Sequence, residues 1–233
     1  MTFGLPNTSD PDSGQHRPVK QEWSLIHSLQ QHPLLLVLRP DQNDLDRGIL
    51  SADLLEQLDF VQSAGLRHLE VAWDSHPGWC NFVENLRSRF DHLVVGAASV
   101  ISPEAVDCIA QLGLPYSMSP CLDPVLLNRA SQQGVLLVPG VFTPSEVMQA
   151  MQLDCRLVKL FPAAEVGPSY WRRLQAPLGE LPFVIAAGGL VASDIRPWLD
   201  AGHGAVALGR RVISERSIDA DLLAWLREST FHS

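Results

Sequence analysis

The sequence predicts a single (β/α)₈ barrel, a TIM barrel with a parallel, closed, eight-stranded sheet. Three observations carry that reading. Eight short apolar runs alternate with longer amphipathic stretches, the repeat is ~24 residues, and a chain of this length suits one closed barrel. The chain has 233 residues, 46% of them hydrophobic and 18% charged.

The apolar runs fall at residues 34–38, 68–73, 93–97, 115–118, 135–138, 157–160, 183–186 and 205–208. Between them lie stretches such as 50–64, where Leu54, Leu55, Leu58 and Val61 share one helical face. Ser102-Pro103, Asp123-Pro124, Thr143-Pro144 and Gly167-Pro168 closely follow apolar runs and read as helix starts. Proline at the first helical position sacrifices only an N–H that has no partner there. Thr143-Pro144-Ser145-Glu146 also has the spacing of a capping box. Strand ends thus lead quickly into helices on one face, which in a barrel is the face that carries chemistry.

Residues 1–20 are rich in Pro, Ser, Asp, Asn and Gly and read as a flexible leader, leaving 21–233 as the single domain. The formal net charge of −9 opposes nonspecific attraction to nucleic acid or to an anionic membrane. The apolar run at 34–38 is too short to span a bilayer. Cys80, Cys108, Cys121 and Cys155 lie far apart without C-x-x-C pairing and read as free thiols of a cytoplasmic protein. The histidines form no H-x-x-x-H, so no metal site is expected.

One residue breaks the apolar pattern of the sixth run. Lys159 sits among Leu157, Val158, Leu160 and Phe161, where an interior strand is otherwise continuously hydrophobic. Burial favours the neutral amine. With its ordinary pKa of ~10.4 a lysine is neutral about 0.04% of the time at pH 7, and a fall of three units makes that roughly a third. A neutral amine adds to a ketone, and the resulting iminium withdraws electrons for C–C cleavage. The plainer alternative is a lysine that snorkels at the strand end to meet a carboxylate.

The segment Val158-Lys159-Leu160-Phe161-Pro162-Ala163, followed by Val166-Gly167-Pro168, resembles the Schiff-base segment of the 2-keto-3-deoxy-6-phosphogluconate (KDPG) and 4-hydroxy-2-oxoglutarate (KHG) aldolases. Val37-Leu38-Arg39, Leu69-Glu70-Val71, Gly96-Ala97-Ala98-Ser99-Val100, Ser119-Pro120, Pro139-Gly140 and Ala187-Gly188-Gly189 resemble further segments of that family, in order. The resemblance covers residues 25–228. It implies a class I aldolase that releases pyruvate and an aldehyde from a 2-keto-3-deoxy-6-phospho sugar acid or from 4-hydroxy-2-oxoglutarate. Lys159 would form the Schiff base and Glu70 would shuttle protons. The resemblance implies no cofactor, since the iminium withdraws the electrons. Arg39 and Ser99 would hold the keto acid's carboxylate; Phe161, Pro120 and Thr143 would touch substrate, although the capping box makes Thr143 a helix cap before a ligand contact. Phosphate would meet Gly188, Gly189, Gly209 and Arg210. The glycine part also follows from the residues, since glycines after the last two barrel strands let backbone N–H groups approach an anion.

The resemblance implies a homotrimer, with Trp171 and Trp198 serving either the interface or the core. The pattern departs from the family at Trp73-Asp74-Ser75, Ala164, Ala187 and Arg210, which stand where members carry arginine, glutamate, threonine and serine respectively. These changes leave the substrate open. They also leave two alternatives: a phosphate-binding isomerase or synthase that uses Lys159 as a cation, and a relative that binds without turnover.

Overall fold

The computed structural model describes residues 19–209, 213–214 and 217–230. Helix α1 (Val19–Gln31) comes first, so Val19 and Lys20, read as leader, already belong to a helix. The strands β1 (Leu34–Leu38), β2 (His68–Ala72), β3 (Val94–Ala98) and β4 (Ser117–Met118) follow, each paired in parallel with the next. The fifth strand is split by Pro139 into β5 (Leu137–Val138) and β6 (Gly140–Val141). β5 pairs with β4 while β6 pairs with β7 (Leu157–Leu160). A proline cannot donate to a ladder, but the Pro139 carbonyl accepts from the Lys159 N–H at 2.9 Å and keeps the ring continuous there. β8 (Phe183–Ala187) and β9 (Ala205–Leu208) complete the circuit, and β9 pairs back onto β1. All eight predicted strands are present, with ends that coincide or shift by one or two residues, except that the fifth continues past Pro139 to Val141.

Ser102, Asp123 and Thr143 cap α5 (Pro103–Leu112), α6 (Pro124–Gln132) and α7 (Pro144–Gln152), as their sequences predict. Gly167-Pro168 behaves differently. Gly167 takes φ +74° in a turn, and the helix that follows, α8 (Tyr170–Leu178), begins three residues later. Trp171 and Trp198 are buried in the layer between sheet and helices, which settles them as core.

Two apolar layers result from the alternation of side chains along each strand. One packs the outer faces of the strands against the surrounding helices. The other fills the barrel with Leu35, Met118, Leu136, Val138, Leu157 and Ile185, and α1 adds Leu25, Ile26 and Leu29 from below. Each such side chain contributes ~1.5–3 kcal/mol on burial. α1 therefore plugs the end of the barrel where the strands begin.

The plug is also pinned by polar contacts. Glu22 is 3% exposed and its Oε1 accepts from the backbone N–H groups of Arg156 and Leu157, at 2.9 and 3.1 Å. Ser28 Oγ lies 2.8 Å from His68 Nε2 at the start of β2. Replacing Glu22 by alanine leaves two backbone donors unpaired, a loss of about 2–6 kcal/mol at ~1–3 kcal/mol for each orphaned group. Thermal denaturation of Glu22→Ala should show a lowered midpoint, and an unchanged midpoint would mean that the plug is held by its leucines alone.

The cysteine expectation needs correction. Cys80, on α4 (Trp79–Arg89), and Cys108, on α5, form a disulfide, while Cys121 and Cys155 lie outside any disulfide. Their separation of 28 residues has no signature in sequence; consecutive βα units bring the two helices side by side. Among the described residues no helix is long and apolar enough to cross a membrane.

Candidate active site

At the carboxyl ends of the strands a cavity of about 370 Å³ opens into the barrel. It is lined by Lys159, Glu70, Arg39, Ser99, Pro120, Phe161, Gly188, Gly189 and Gly209, together with Val37, Ala98, Ala187, Leu190 and Ala207. Nine residues singled out in the sequence thus meet in one place. Period-two alternation is what brings them there. Lys159 and Phe161 are two apart, as are Val37 and Arg39, so each pair points to the same face.

Lys159 is 6% exposed, and Glu70 is 1% exposed. Burial lowers the Lys159 amine below its ordinary value; Glu70 opposes that effect, Arg39 adds to it, and Cys121 opposes it more weakly. Burial likewise pushes the Glu70 carboxyl up to about 7, with the lysine holding it back. The two groups are driven toward each other in proton affinity, and burial favours the neutral form of the amine. The Nζ atom also lies 5.4 Å from the centre of the Phe161 ring. Snorkelling to solvent is ruled out by the depth of the amine.

Arg39 stands at the exposed rim and its Nη2 donates to Ser99 Oγ at 3.3 Å. Ser99 follows β3 in the left-handed region, at φ +60°, a conformation uncommon for residues other than glycine and frequent at binding sites. That turn aims its hydroxyl across the mouth toward Arg39. Two acids in the segments after β1 and β2 bond within their own loops. Asp41 caps the helix at Gln42–Arg47 by accepting from the Asp44 N–H, and Asp74 Oδ1 accepts from the His76 N–H at 2.9 Å.

Gly188 shapes the opposite wall. It takes φ +94°, and a Cβ there would lie 2.8 Å from the Phe161 ring. Only glycine lets the backbone approach this aromatic face. The Gly188 carbonyl accepts from the Ala164 N–H at 3.1 Å, which ties the loop after β7 to the loop after β8.

Thr143 does not reach the cavity. Its hydroxyl and Glu146 form both halves of the capping box at the head of α7, so the substrate-contact expectation gives way to the cap. Arg210 lies outside the described residues. Val37, Ala98, Leu190 and Ala207 are lining residues the sequence did not single out. The signal was available, because three of them stand two positions from a named inward-facing residue: Arg39, Gly96 and Gly209. A larger cleft, beside α1 at the other end of the barrel, contains none of the candidate residues.

A family model described as KDPG and KHG aldolase matches residues 29–227. The chain is 29% identical over 178 residues to the 2-dehydro-3-deoxy-6-phosphogalactonate aldolase of Escherichia coli, covering 76% of this chain and 82% of that one. It is also 29% identical over 149 residues to the 2-dehydro-3-deoxy-phosphogluconate aldolase of Pseudomonas aeruginosa, covering 64% and 67%. Its fold is similar to that of the KDPG aldolase of Legionella pneumophila solved with pyruvate captured as a covalent carbinolamine. The TM-score is 0.67 and the identity 22%, over 86% of this chain and 93% of that one.

Proposed function

The chain belongs to the KDPG and KHG aldolase family, and we propose that it cleaves a 2-keto-3-deoxy-6-phospho sugar acid, or 4-hydroxy-2-oxoglutarate, through a Schiff base on Lys159. The observation that carries this reading is a buried amine beside a buried carboxyl in an open cavity at the strand ends.

The neutral Lys159 amine adds to the C2 ketone, and the carbinolamine loses water to give an iminium. Glu70 accepts the proton of the C4 hydroxyl as the C3–C4 bond breaks. The bonding pair moves into the iminium as an enamine, and the aldehyde leaves. Protonation at C3 and hydrolysis then release pyruvate and restore the amine. Arg39 is suited to the substrate carboxylate because its guanidinium offers paired donors in one plane, and Ser99 adds a hydroxyl from the same side. Phe161 and Pro120 supply apolar walls.

For the far end of the substrate, Gly188, Gly189 and Gly209 leave backbone accessible to a phosphate, and Arg210 is the charge next in sequence. A phosphorylated substrate is therefore preferred in this reading. The names of the relatives point the same way, since both act on phosphorylated keto acids. A homotrimeric assembly is part of the same reading, carried by the family resemblance.

The test is reductive trapping. Borohydride added with pyruvate should leave a three-carbon adduct on the peptide containing Lys159, identified by mass spectrometry. An unmodified Lys159 under conditions that trap a known class I aldolase would end this reading. A panel of phosphorylated and unphosphorylated 2-keto acids, assayed for pyruvate release, then assigns the substrate.

A further inference from the structure

The interior of the barrel holds a polar side chain that the proposed chemistry does not use. Tyr116 is fully buried just ahead of β4, and its hydroxyl has no hydrogen-bond partner among the described residues. Glu70 Oε1 is in the same condition. Buried polar atoms in native proteins are nearly always paired, directly or through an internal water, so two such atoms in one interior call for a common explanation.

The strand register supplies it. Glu70 on β2 stands opposite Gly96 on β3, and β4 follows β3 in the ring. A Cβ on Gly96 would lie 2.5 Å from the Tyr116 ring. The absent side chain on β3 is therefore what allows the phenol to lie across that strand, from its own position beside β4 toward Glu70. Gly96 reads as a space made for this ring, and the ring bridges two strands that are not neighbours.

We infer that Tyr116 is a positioning residue for Glu70: its O–H donates to one internal water that in turn donates to Glu70 Oε1, and this bridge holds the carboxyl toward Lys159. The inference rests on the proposed Lys159–Glu70 chemistry. It adds a residue that reaches neither substrate nor the cavity wall.

The phenol is a donor throughout the working range, because burial and then the Glu70 charge raise it well above its ordinary value. The other charged or titratable groups around Glu70 are Lys159 from β7, Arg39 from the end of β1, and His68 two residues back on β2. Cys121, after β4, acts on Lys159. His68 is pushed down to about 4, chiefly by burial, and is neutral near neutral pH. A donor removed from a carboxylate destabilises the charged form, so the carboxyl should titrate higher without Tyr116.

Tyr116→Phe keeps the ring over Gly96 and removes only the hydroxyl, so the packing that folds the chain is retained. Carboxyl ¹³C shifts of glutamate-labelled protein report the Glu70 titration without any need for activity. The expected result is a titration midpoint about one pH unit higher in the variant, with Glu70→Gln identifying the signal. The acid limb of kcat/KM should move up with it, kcat should fall about tenfold, and KM should change less than twofold. Coincident titration curves, with or without a change in melting temperature, would reduce Tyr116 to a filler and overturn the inference. Borohydride trapping of the wild type with pyruvate separates the two readings. If trapping fails, the aldolase chemistry falls, while the carboxyl titration still decides whether Tyr116 acts on Glu70.

Discussion

Lys159→Met should lose both the borohydride-trapped pyruvate adduct and all measurable cleavage, a fall of at least about 10³-fold in kcat/KM. Methionine matches the length and buried volume of the lysine stem but cannot add to a ketone. No neighbouring amine replaces it, since the other cation lining the cavity among the described residues, Arg39, stays protonated. The fold should survive. The Glu70 carboxyl, left unpaired, can take up a proton near neutral pH instead of staying buried as a lone charge. Glu70 is then left without the cation that holds its carboxyl down, so its folded-state value rises beyond about 7. For a group raised on folding, the folded state binds the proton more tightly. The stability is therefore full below the unfolded value near 4.5 and declines as pH climbs toward the folded one. Denaturation of Lys159→Met should accordingly show lower stability at pH 9 than at pH 6, by ~1.4 kcal/mol for every tenfold gain in proton affinity on folding that is lost over that range. Residual trapping in this variant would place the nucleophile elsewhere.

The features behind this behaviour were unequally legible in the chain. The strands could be read because each is short, apolar and followed by a polar stretch of helical period, and three of four proline-marked helix starts could be read because capping is local. Lys159 stood out as a charge within an apolar run, which makes burial visible without coordinates, while Glu70 was marked only by the family resemblance. What the sequence did not show depends on neighbours distant in the chain. The break at Pro139 is a matter of which strand each half meets. The Cys80–Cys108 bond follows from two helices packed side by side, and residue spacing carries no trace of that. Thr143 had two readings, and its capping box together with its absence from the cavity lining favours the cap. Tyr116 was passed over because an aromatic residue in an apolar run reads as core; its relation to Glu70 exists only through the gap at Gly96.

Glu70→Gln provides the complementary experiment, because it removes proton transfer while leaving the nucleophile in place. Cleavage requires a carboxylate that can accept the C4 hydroxyl proton, so the active form of Glu70 is the deprotonated one. With the carboxyl raised to about 7 by burial, wild-type kcat/KM should rise with pH through that value. The amide has no such titration, and the limb should vanish. Its kcat should fall about 10²–10⁴-fold, the range associated with a positioned general base. The amine should not become less available. Glu70 is the main group that raises Lys159, so its loss lowers the amine further and enlarges the neutral fraction. Pyruvate should therefore still be captured by borohydride in Glu70→Gln, though more slowly, because carbinolamine dehydration also needs a proton. Steady-state profiles measured beside trapping time courses separate the two steps. A variant that is trapped slowly and cleaves slowly, with no limb near 7, assigns the proton to Glu70. One that retains the wild-type profile moves the proton transfer to another group in the cavity.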